Sequence, residues 1–356
     1  EKDYLVIYDI ITKSKQLDSK NVKGEFHKRR PGGSFEVSIQ YLYERLTDSL
    51  LTLRKKKDIY YDLLNNLCKA RMLYERSLFE ECFEILSDTI EQATYYENNE
   101  VLTIALKLEL EYLLRLNFPN LAESELYHKH FMQNEALKKT RKIVEQSSLH
   151  NLLKYRLSHI GSIRTSKQKQ DMNDLMVNEL SIAASSGIEG NFELMRNHRL
   201  FQANYLMGAG EYKAALNSYK ELSRLFEQNR QFWSNPPIYY LSAIQGILDS
   251  LCIAGLYHET PFFLSKLEEL TQNEYSTEFI LHLKTLIYIY KSNSLLQAGN
   301  FEQALELRDK QENELLKKVT SLGLESQLRL YLSFAVLGMY TKDYVQARKY
   351  MKKIFS

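Results

Sequence analysis

The chain has 356 residues, with 47 Lys and Arg against 45 Asp and Glu, so its formal net charge is only +2. A chain so close to neutral is not a strongly basic or acidic protein whose net field attracts nucleic acid or membrane surfaces. Its 13 glycines and 5 prolines are few for this length, which disfavours β-sandwiches, barrels and glycine-looped nucleotide-binding folds. The composition therefore predicts an all-α protein with a large core.

Cysteine usage and hydropathy indicate the compartment. No stretch of the sequence reaches the length and apolarity of a membrane span, and the charged first residues are not followed by a long apolar segment. The three cysteines, Cys68, Cys82 and Cys252, form no Cys-x-x-Cys pair, and each lies in an apolar helical context typical of a small buried hydrophobe. We therefore expect a soluble, cytoplasmic protein without an export signal, a disulfide framework or a structural zinc site.

Residues 1–57 are predicted to form an N-terminal helical, basic module. The pattern from Tyr4 to Ile11 predicts one short helix, and the polar segment from Lys20 to Pro31 predicts a basic loop. Ser34 is expected to cap a long helix whose apolar positions continue to Leu53. The predicted loop carries four adjacent polar residues, His27, Lys28, Arg29 and Arg30.

This module concentrates positive charge. From Lys23 to Lys57 there are nine basic and four acidic residues, a local net charge of +5. One interpretation is a winged-helix-like module that contacts phosphate backbones through Lys28, Arg29 and Arg30. The other, more usual for a basic loop of this size, is a solvated cap over the first repeat. No recognition-helix signature favours nucleic acid as a partner.

Residues 58–356 are predicted to form a helical repeat array. A turn signal of glycine followed two residues later by an aromatic recurs, and its aromatic residues, Tyr212, Tyr257, Phe301 and Tyr344, are 45, 44 and 43 residues apart. An earlier copy surrounds Phe79, and a degraded one is expected near residue 120. An amphipathic run before and after each turn predicts two antiparallel helices of about five turns each. Such a pair buries its apolar stripes only by stacking on its neighbours.

These units resemble the tetratricopeptide repeat (TPR) family. The clearest match is Ala203, Gly210, Tyr212, Ala215 and Tyr219, in the order small residue, Gly-x-Tyr, Ala and aromatic. Further matches are Ser292, Gly299, Phe301 and Ala304, then Ala335, Tyr344 and Ala347, with Lys342 in place of the glycine. The resemblance implies a TPR-like α-solenoid, a right-handed superhelix of antiparallel helix pairs. Long, degenerate repeat proteins of the Bacteroidetes group, which are bacterial, also resemble this chain, but that resemblance assigns no activity.

Several segments test the helical prediction. Residues 102–111 alternate apolar and polar as a strand does, but their Leu, Ala, Lys and Glu are strong helix formers and the apolar run continues to Leu116, so we predict a buried helix. The same reasoning applies to residues 279–290. Breaks between helices are expected at the polar segment 164–170, the flexible segment 185–190 and the proline-containing segment 233–237. Thr260 is expected to cap a helix that begins at Pro261.

The sequence contains no familiar catalytic motif. It lacks the HExxH, GxSxG and GxGxxG motifs, the P-loop and the set of motifs typical of protein kinases. His128 and His130 are the closest pair of histidines, but residues two apart on a helix point to different sides and do not ligate one ion. We therefore predict a protein that is not an enzyme and has no cofactor and no metal site.

In a TPR-like superhelix, the first helix of each pair lines a concave groove that holds extended peptides. Asparagine amides suit that role because they both donate to and accept from a ligand backbone. The lysines that clamp a terminal carboxylate in chaperone-binding members are not reproduced, since Leu200, Gln245, Ile289 and Leu332 stand there. Alignment on the turn aromatic predicts eight groove residues, Arg71, Tyr74, Asn197, Asn204, Gln245, Asp249, Asn293 and Arg329.

Two functions remain open from the sequence. The first is a non-enzymatic protein- or peptide-binding scaffold that uses the concave groove. The alternative is a peptide-sensing transcriptional regulator whose basic N-terminal module contacts DNA, with binding that weakens steeply with salt. No membrane partner is expected.

Overall fold

A computed structural model describes residues 2–14, 18–55, 57–119, 121–161, 163, 165–186 and 190–355. Over these ranges the protein is all-α, with seventeen α-helices, three short 3₁₀ turns and no β-strand. Helices that are neighbours in sequence pack on one another, so the predicted all-α class is confirmed and the packing is compatible with a helical repeat. None of the described helices is long and apolar enough to cross a membrane.

The chain divides into two compact units, one of residues 1–93 and 104–119 and one of residues 94–103 and 120–356. The predicted module boundary after residue 57 falls inside the first unit and stays a prediction. The helices that begin in the first unit are α1 (Asp3–Lys13), α2 (Ser19–Arg29), α3 (Phe35–Lys55), α4 (Ile59–Glu75) and α5 (Phe79–Tyr95). The division passes through the next helix, α6 (Asn99–Arg115).

Helix α2 replaces most of the basic loop predicted from Lys20 to Pro31, so that prediction was wrong. The helix is capped by Asp18, whose carboxylate accepts from the Lys20 amide at 3.3 Å. Val22 and Phe26, one turn apart, are buried together with apolar residues of α1. Two apolar residues in a polar segment are too weak a periodic signal to predict a helix. His27, Lys28 and Arg29 therefore lie in the last turn of α2.

The two helices predicted in the N-terminal segment are confirmed. Helix α1 covers the predicted segment from Tyr4 to Ile11, and α3 begins directly after Ser34, whose Oγ accepts from the Val37 amide at 3.5 Å.

Of the cysteines, Cys82 is buried and Cys252 is partly buried. Cys68 is exposed, because it lies on the face of α4 opposite the buried Leu63, Leu67 and Ala70; its prediction as a buried residue was wrong.

The second unit contains the remaining helices. They are α7 (Glu123–Ile160), α8 (Ser166–Gln170), α9 (Asn173–Ser186), α10 (Phe192–Gly208), α11 (Tyr212–Gln228), α12 (Ile238–Ala254), α13 (Thr260–Thr271), α14 (Thr277–Gln297), α15 (Phe301–Lys317), α16 (Leu324–Tyr340) and α17 (Tyr344–Phe355). Helices α10, α11 and α12 have 17 residues each, close to the predicted five turns. Helix α7, with 38 residues, is more than twice that length and was not predicted.

The turns of the repeats have the predicted geometry. Gly210, Gly255 and Gly299 have φ of +79°, +72° and +76°, in the left-handed region that favours glycine. Ser77 and Lys342 occupy the same place in their units and have φ of +61° each, at a steric cost that glycine does not incur. In all five turns the aromatic residue two positions later begins the next helix or 3₁₀ turn.

The predicted breaks and buried helices are partly confirmed. Segments 102–115 and 279–290 are helical, and α12 begins at Ile238, directly after the proline pair. The break predicted at 164–170 lies between the end of α7 and the start of α9, and it contains the five-residue α8, which Thr165 caps by accepting from the Gln168 amide at 3.2 Å. Residues 187–189 of the predicted flexible segment, like residue 120 of the degraded repeat, lie outside the described residues.

Thr260 is not the cap that the sequence predicted. A 3₁₀ turn, Tyr257–Glu259, runs directly into α13, so Thr260 is already the first helical residue and Pro261 lies in the first turn. The Thr260 hydroxyl is buried and has no hydrogen-bond partner among the described residues. The cap prediction failed because the preceding turn already supplies helical backbone.

Candidate functional site

A cavity of about 380 Å³ lies in the second unit, between α7, α10, α11, α12 and α16. Three of the eight predicted groove residues, Asn204, Gln245 and Asp249, line it. The remaining lining residues are His150, Lys154, Leu200, Met207, Tyr219, Ile238, Tyr239, Ser242, Gly246 and Glu325. These three residues were predicted from their positions relative to the repeat turns, and they come from α10 and α12, the first helices of two successive pairs.

Asn204 is the fixed point of the cavity wall. Its Oδ1 accepts from the Tyr219 hydroxyl at 3.1 Å, and its Nδ2 donates to the Leu200 carbonyl at 2.8 Å. The same Nδ2 lies 3.2 Å from His150 Nε2. Because these partners set the orientation of the amide, His150 Nε2 is the acceptor and the imidazole is neutral. Asn204 is therefore committed to its neighbours and is not free to bind a ligand.

The neutral state of His150 also agrees with its electrostatic surroundings. Burial, with the nearby positive charges of Lys154 and Arg196, lowers the pKa of His150 from 6.5 to about 4. At neutral pH the imidazole therefore carries no charge. Protonation would place two donors against each other, which is a further cost of charging it.

Tyr219 is held against α12 by a glycine. A Cβ built on Gly246 would lie 2.4 Å from Cε1 and Cζ of the Tyr219 ring, so a side chain at this position would collide with the ring. Tyr219 is only 4% exposed and joins the core formed with Ala203 and Ala215. The close approach of the ring to the α12 backbone places the hydroxyl within reach of Asn204.

A charged triad forms one end of the cavity. Arg329 Nη2 donates to Asp249 Oδ1 at 2.6 Å and to the Tyr290 hydroxyl at 3.0 Å, and that hydroxyl donates to Asp249 Oδ1 at 2.7 Å. Burial and the Asp249 charge raise the pKa of Tyr290. Burial opposes the charge of Arg329, but Tyr290 and Asp249 outweigh it, and the pKa of the guanidinium is raised. The triad ties α12, α14 and α16 together.

Gln245 and Lys154 line the cavity without a side-chain partner among the described residues. The side-chain amide of Gln245 makes no hydrogen bond with any residue that the structure describes. No carboxylate of the described residues lies within ion-pair distance of Lys154 Nζ. Lys154 is open to solvent, yet the surrounding walls remove part of its hydration, which lowers the pKa of the ammonium despite the opposing charge of Glu325. These two side chains are available to a ligand.

The other predicted groove residues of this unit lie outside the cavity lining. Asn197 is buried; its Nδ2 donates to Ser147 Oγ at 3.3 Å and its Oδ1 accepts from Arg196. Asn293 is half-buried on α14. Arg329 reaches the cavity only through its pairing with Asp249.

Arg71 and Tyr74 belong to the first unit. Arg71 Nε lies 3.4 Å from a carboxylate oxygen of Glu75 on the same helix, and the Tyr74 ring stacks on Tyr112 with 3.7 Å between centroids. These contacts occupy both side chains within their own unit.

The basic residues of the alternative hypothesis are mostly paired. Arg29 Nη2 lies 3.6 Å from Glu25 and Arg30 Nε lies 3.5 Å from Asp3, while Lys28 is exposed at the end of α2. These pairs reduce the free positive charge of the patch. Nothing in the described geometry favours the regulator over the scaffold, and DNA contact stays a prediction.

Other candidate chemistry is limited. A cavity of about 420 Å³ between α11 and α13 contains two ion pairs, Lys220 to Glu259 at 2.6 Å and Lys266 to Glu227 at 2.5 Å. His128 and His130 are both exposed on α7. Among the described residues, no group of three or more His, Cys, Asp or Glu side chains is placed to hold a metal ion.

Comparison with protein-family models, with curated proteins and with solved structures finds no match. The functional interpretation therefore depends on the sequence and on the geometry of the cavity.

Proposed function

We propose that the protein is a non-enzymatic protein- or peptide-binding scaffold, and that the cavity of the second unit receives part of an extended partner segment. The observation that carries this proposal is the pair of unpartnered polar groups, Gln245 and Lys154, in a cavity where Asn204 and Asp249 are held by internal hydrogen bonds. A polar group without a protein partner favours a ligand that supplies one.

The cavity has the chemistry expected for a peptide ligand. The Gln245 amide both donates and accepts, so it matches the carbonyl and N–H of an extended backbone. The Lys154 ammonium suits a carbonyl or carboxylate oxygen, and the Ile238 and Tyr239 side chains, both partly open to solvent, offer apolar surface. A volume of about 380 Å³ accommodates one or two side chains rather than a whole peptide. The rest of the segment would continue along the first helices, as in a TPR-like right-handed superhelix.

The titratable groups favour binding over catalysis. A general base works best with a pKa near the working pH, whereas the pKa of His150 is about 4 and its Nε2 already accepts from Asn204. Asp249 is committed to Arg329 and Tyr290. Neither group is poised to remove a proton from a substrate.

The test uses peptides selected from a random phage-displayed library on the immobilised whole chain, labelled and titrated by fluorescence anisotropy. The Gln245→Leu variant keeps the side-chain size but removes the amide, and we expect Kd to rise at least about tenfold through the loss of hydrogen bonds to the peptide. The matched control is Gln297→Leu, an exposed glutamine at the end of α14, which should bind like the wild type. Failure to select any peptide, or equal affinities for both variants, would overturn the proposal.

A further inference from the structure

Most of the second half of α3 is exposed, and only at its end does the helix reach α4, where Lys55 Nζ donates to Asn65 Oδ1 at 2.8 Å. The buried residues of this helix, Phe35, Ser38 and Leu42, all lie in its first eight positions. Every residue from 43 to 53 is exposed. A helix of this length gains little stability on its own in water, because helix stability in proteins comes mainly from tertiary packing.

The exposed part of α3 carries an apolar stripe with a coiled-coil period. Its successive members are separated by four, three, four and three residues, an average of 3.5, which is the spacing of a and d positions in a heptad repeat. We call this stripe the α3 seam. Its members are Ile39, Tyr43, Leu46, Leu50 and Leu53, with 37%, 64%, 43%, 64% and 62% of their surface exposed.

We propose that the α3 seam pairs with the α3 seam of a second copy of this chain in an antiparallel two-helix coiled coil. Such a contact is isologous, because the same surface serves both chains and the pair closes on itself. Thr47 and Ser49 flank the seam near its middle and are uncharged. Two identical helices therefore meet there without like-charge repulsion.

The charges of α3 favour the antiparallel orientation. Residues 35–45 carry Glu36, Glu44 and Arg45, a net charge of −1, whereas residues 46–55 carry Asp48, Arg54 and Lys55, a net charge of +1. A parallel pair would bring the two basic ends together. An antiparallel pair places each basic end beside the acidic half of the partner helix and also opposes the two helix dipoles.

The area of the seam is sufficient for a dimer. At about 200 Å² for a fully exposed residue of this size, the four members that face the partner helix when the pair is centred near residue 48, Tyr43, Leu46, Leu50 and Leu53, leave on the order of 470 Å² per chain, or 930 Å² for the pair. This total is near the 1,000 Å² or so that separates specific interfaces from incidental contacts. We therefore expect a reversible dimer whose population depends on protein concentration.

The mass of the whole chain in solution tests the pairing. One chain weighs 41.9 kDa, so sedimentation velocity over a concentration series should show a species of about twice that mass at high concentration. Leu50→Glu places a charge in the seam of both copies, and we expect it to raise the dimer Kd at least about 100-fold. The matched control is Leu51→Glu, which makes the same change on the same exposed helix, one residue outside the seam.

Circular dichroism of both variants shows whether helix content is retained. Retention of the dimer by Leu51→Glu and its loss in Leu50→Glu would support the proposal. A wild-type chain that stays at the mass of one copy at every concentration would overturn it, and would indicate that another part of the chain or a different protein covers the seam. Equal dissociation in both variants would also overturn it.

Cross-linking tests the orientation. In an antiparallel pair centred near residue 48, position 46 of one chain lies beside position 50 of the other. In a Cys68→Ser background, which removes the exposed native thiol, a mixture of Leu46→Cys and Leu50→Cys chains should form a disulfide-linked dimer on mild oxidation. Cross-linking of Leu50→Cys chains alone, as efficiently as in the mixture, would indicate a parallel pair and refute the antiparallel arrangement.

Discussion

The contact between Gly246 and Tyr219 is the most sensitive packing feature of the cavity wall. In Gly246→Ala the new Cβ would lie 2.4 Å from the Tyr219 ring, well inside van der Waals contact. The ring is 4% exposed and fixed by its 3.1 Å hydrogen bond to Asn204, so it has little room to move. Overpacking of this kind costs about 1–3 kcal/mol, and loss of the hydrogen bond costs about 1 kcal/mol more.

The helix propensity of alanine acts in the opposite direction. Replacing glycine by alanine inside a helix stabilises it by about 1 kcal/mol when the site is open. Subtracting this gain leaves an expected net destabilisation of about 2 kcal/mol for Gly246→Ala. Gly24, in α2, provides the comparison, because an added Cβ there meets no atom within 4 Å. Gly24→Ala is therefore not expected to destabilise the protein.

Urea unfolding measures the effect, followed by circular dichroism for both variants and also by tryptophan fluorescence for Gly246→Ala. Trp233 is the only tryptophan of the chain, and its ring stacks on Tyr240 in the same unit with 4.4 Å between centroids. In a Tyr219→Leu background, which removes the ring, Gly246→Ala should cost at least about 1 kcal/mol less. An unchanged cost in that background, or no destabilisation in the wild type, would refute the assignment of the strain to this contact.

Three further predictions concern stability. Lys342→Gly should stabilise the protein by about 1 kcal/mol because φ at this position is +61°, whereas Gly210→Ala, at φ +79°, should destabilise it by a similar amount. Thermal unfolding compares the two variants, and changes of the same sign in their melting temperatures would contradict this prediction. The pKa of His150 is lower in the folded chain than in the unfolded chain, so the unfolded chain binds more protons between pH 6.5 and 4, and about 1–2 kcal/mol of folding stability should be lost as the pH falls through that window. Urea unfolding of His150→Gln should show a smaller loss over the same pH range, and an equal loss would contradict the assignment to His150. Arg329→Met should cost about 2 kcal/mol by leaving Asp249 without its cation, and a change below about 0.5 kcal/mol in urea unfolding would contradict the triad.

The repeat turns are the part of the fold that sequence predicts best, because their signal is local. A turn with a glycine in the left-handed region and an aromatic residue two positions later is recognisable from three consecutive residues, as at Gly210 and Tyr212. Helix α2 left no comparable mark, since only Val22 and Phe26 of its residues are buried. Its existence depends on packing with α1, which periodicity within the segment does not reveal.

Of the residues that line the cavity, the sequence predicted only some of those on α10 and α12. Asn204, Gln245 and Asp249 follow from their position before the repeat turns. His150 and Lys154 lie on α7, which carries no turn marker at that point, and His150 meets Asn204 across 54 residues of sequence. Tyr290 was predicted only as part of a buried helix, and its role in the triad depends on Arg329, 39 residues away. Contacts of this separation depend on how helices pack and leave no local pattern in one sequence.

We propose that an extended partner segment lies in the cavity of the second unit. A co-crystal structure of the whole chain with a library-selected peptide tests it most directly. We expect peptide density in the cavity, with a backbone group within hydrogen-bond distance of the Gln245 side-chain amide and an oxygen atom near Lys154 Nζ. Peptide bound elsewhere on the protein, with the cavity filled only by water, would contradict it.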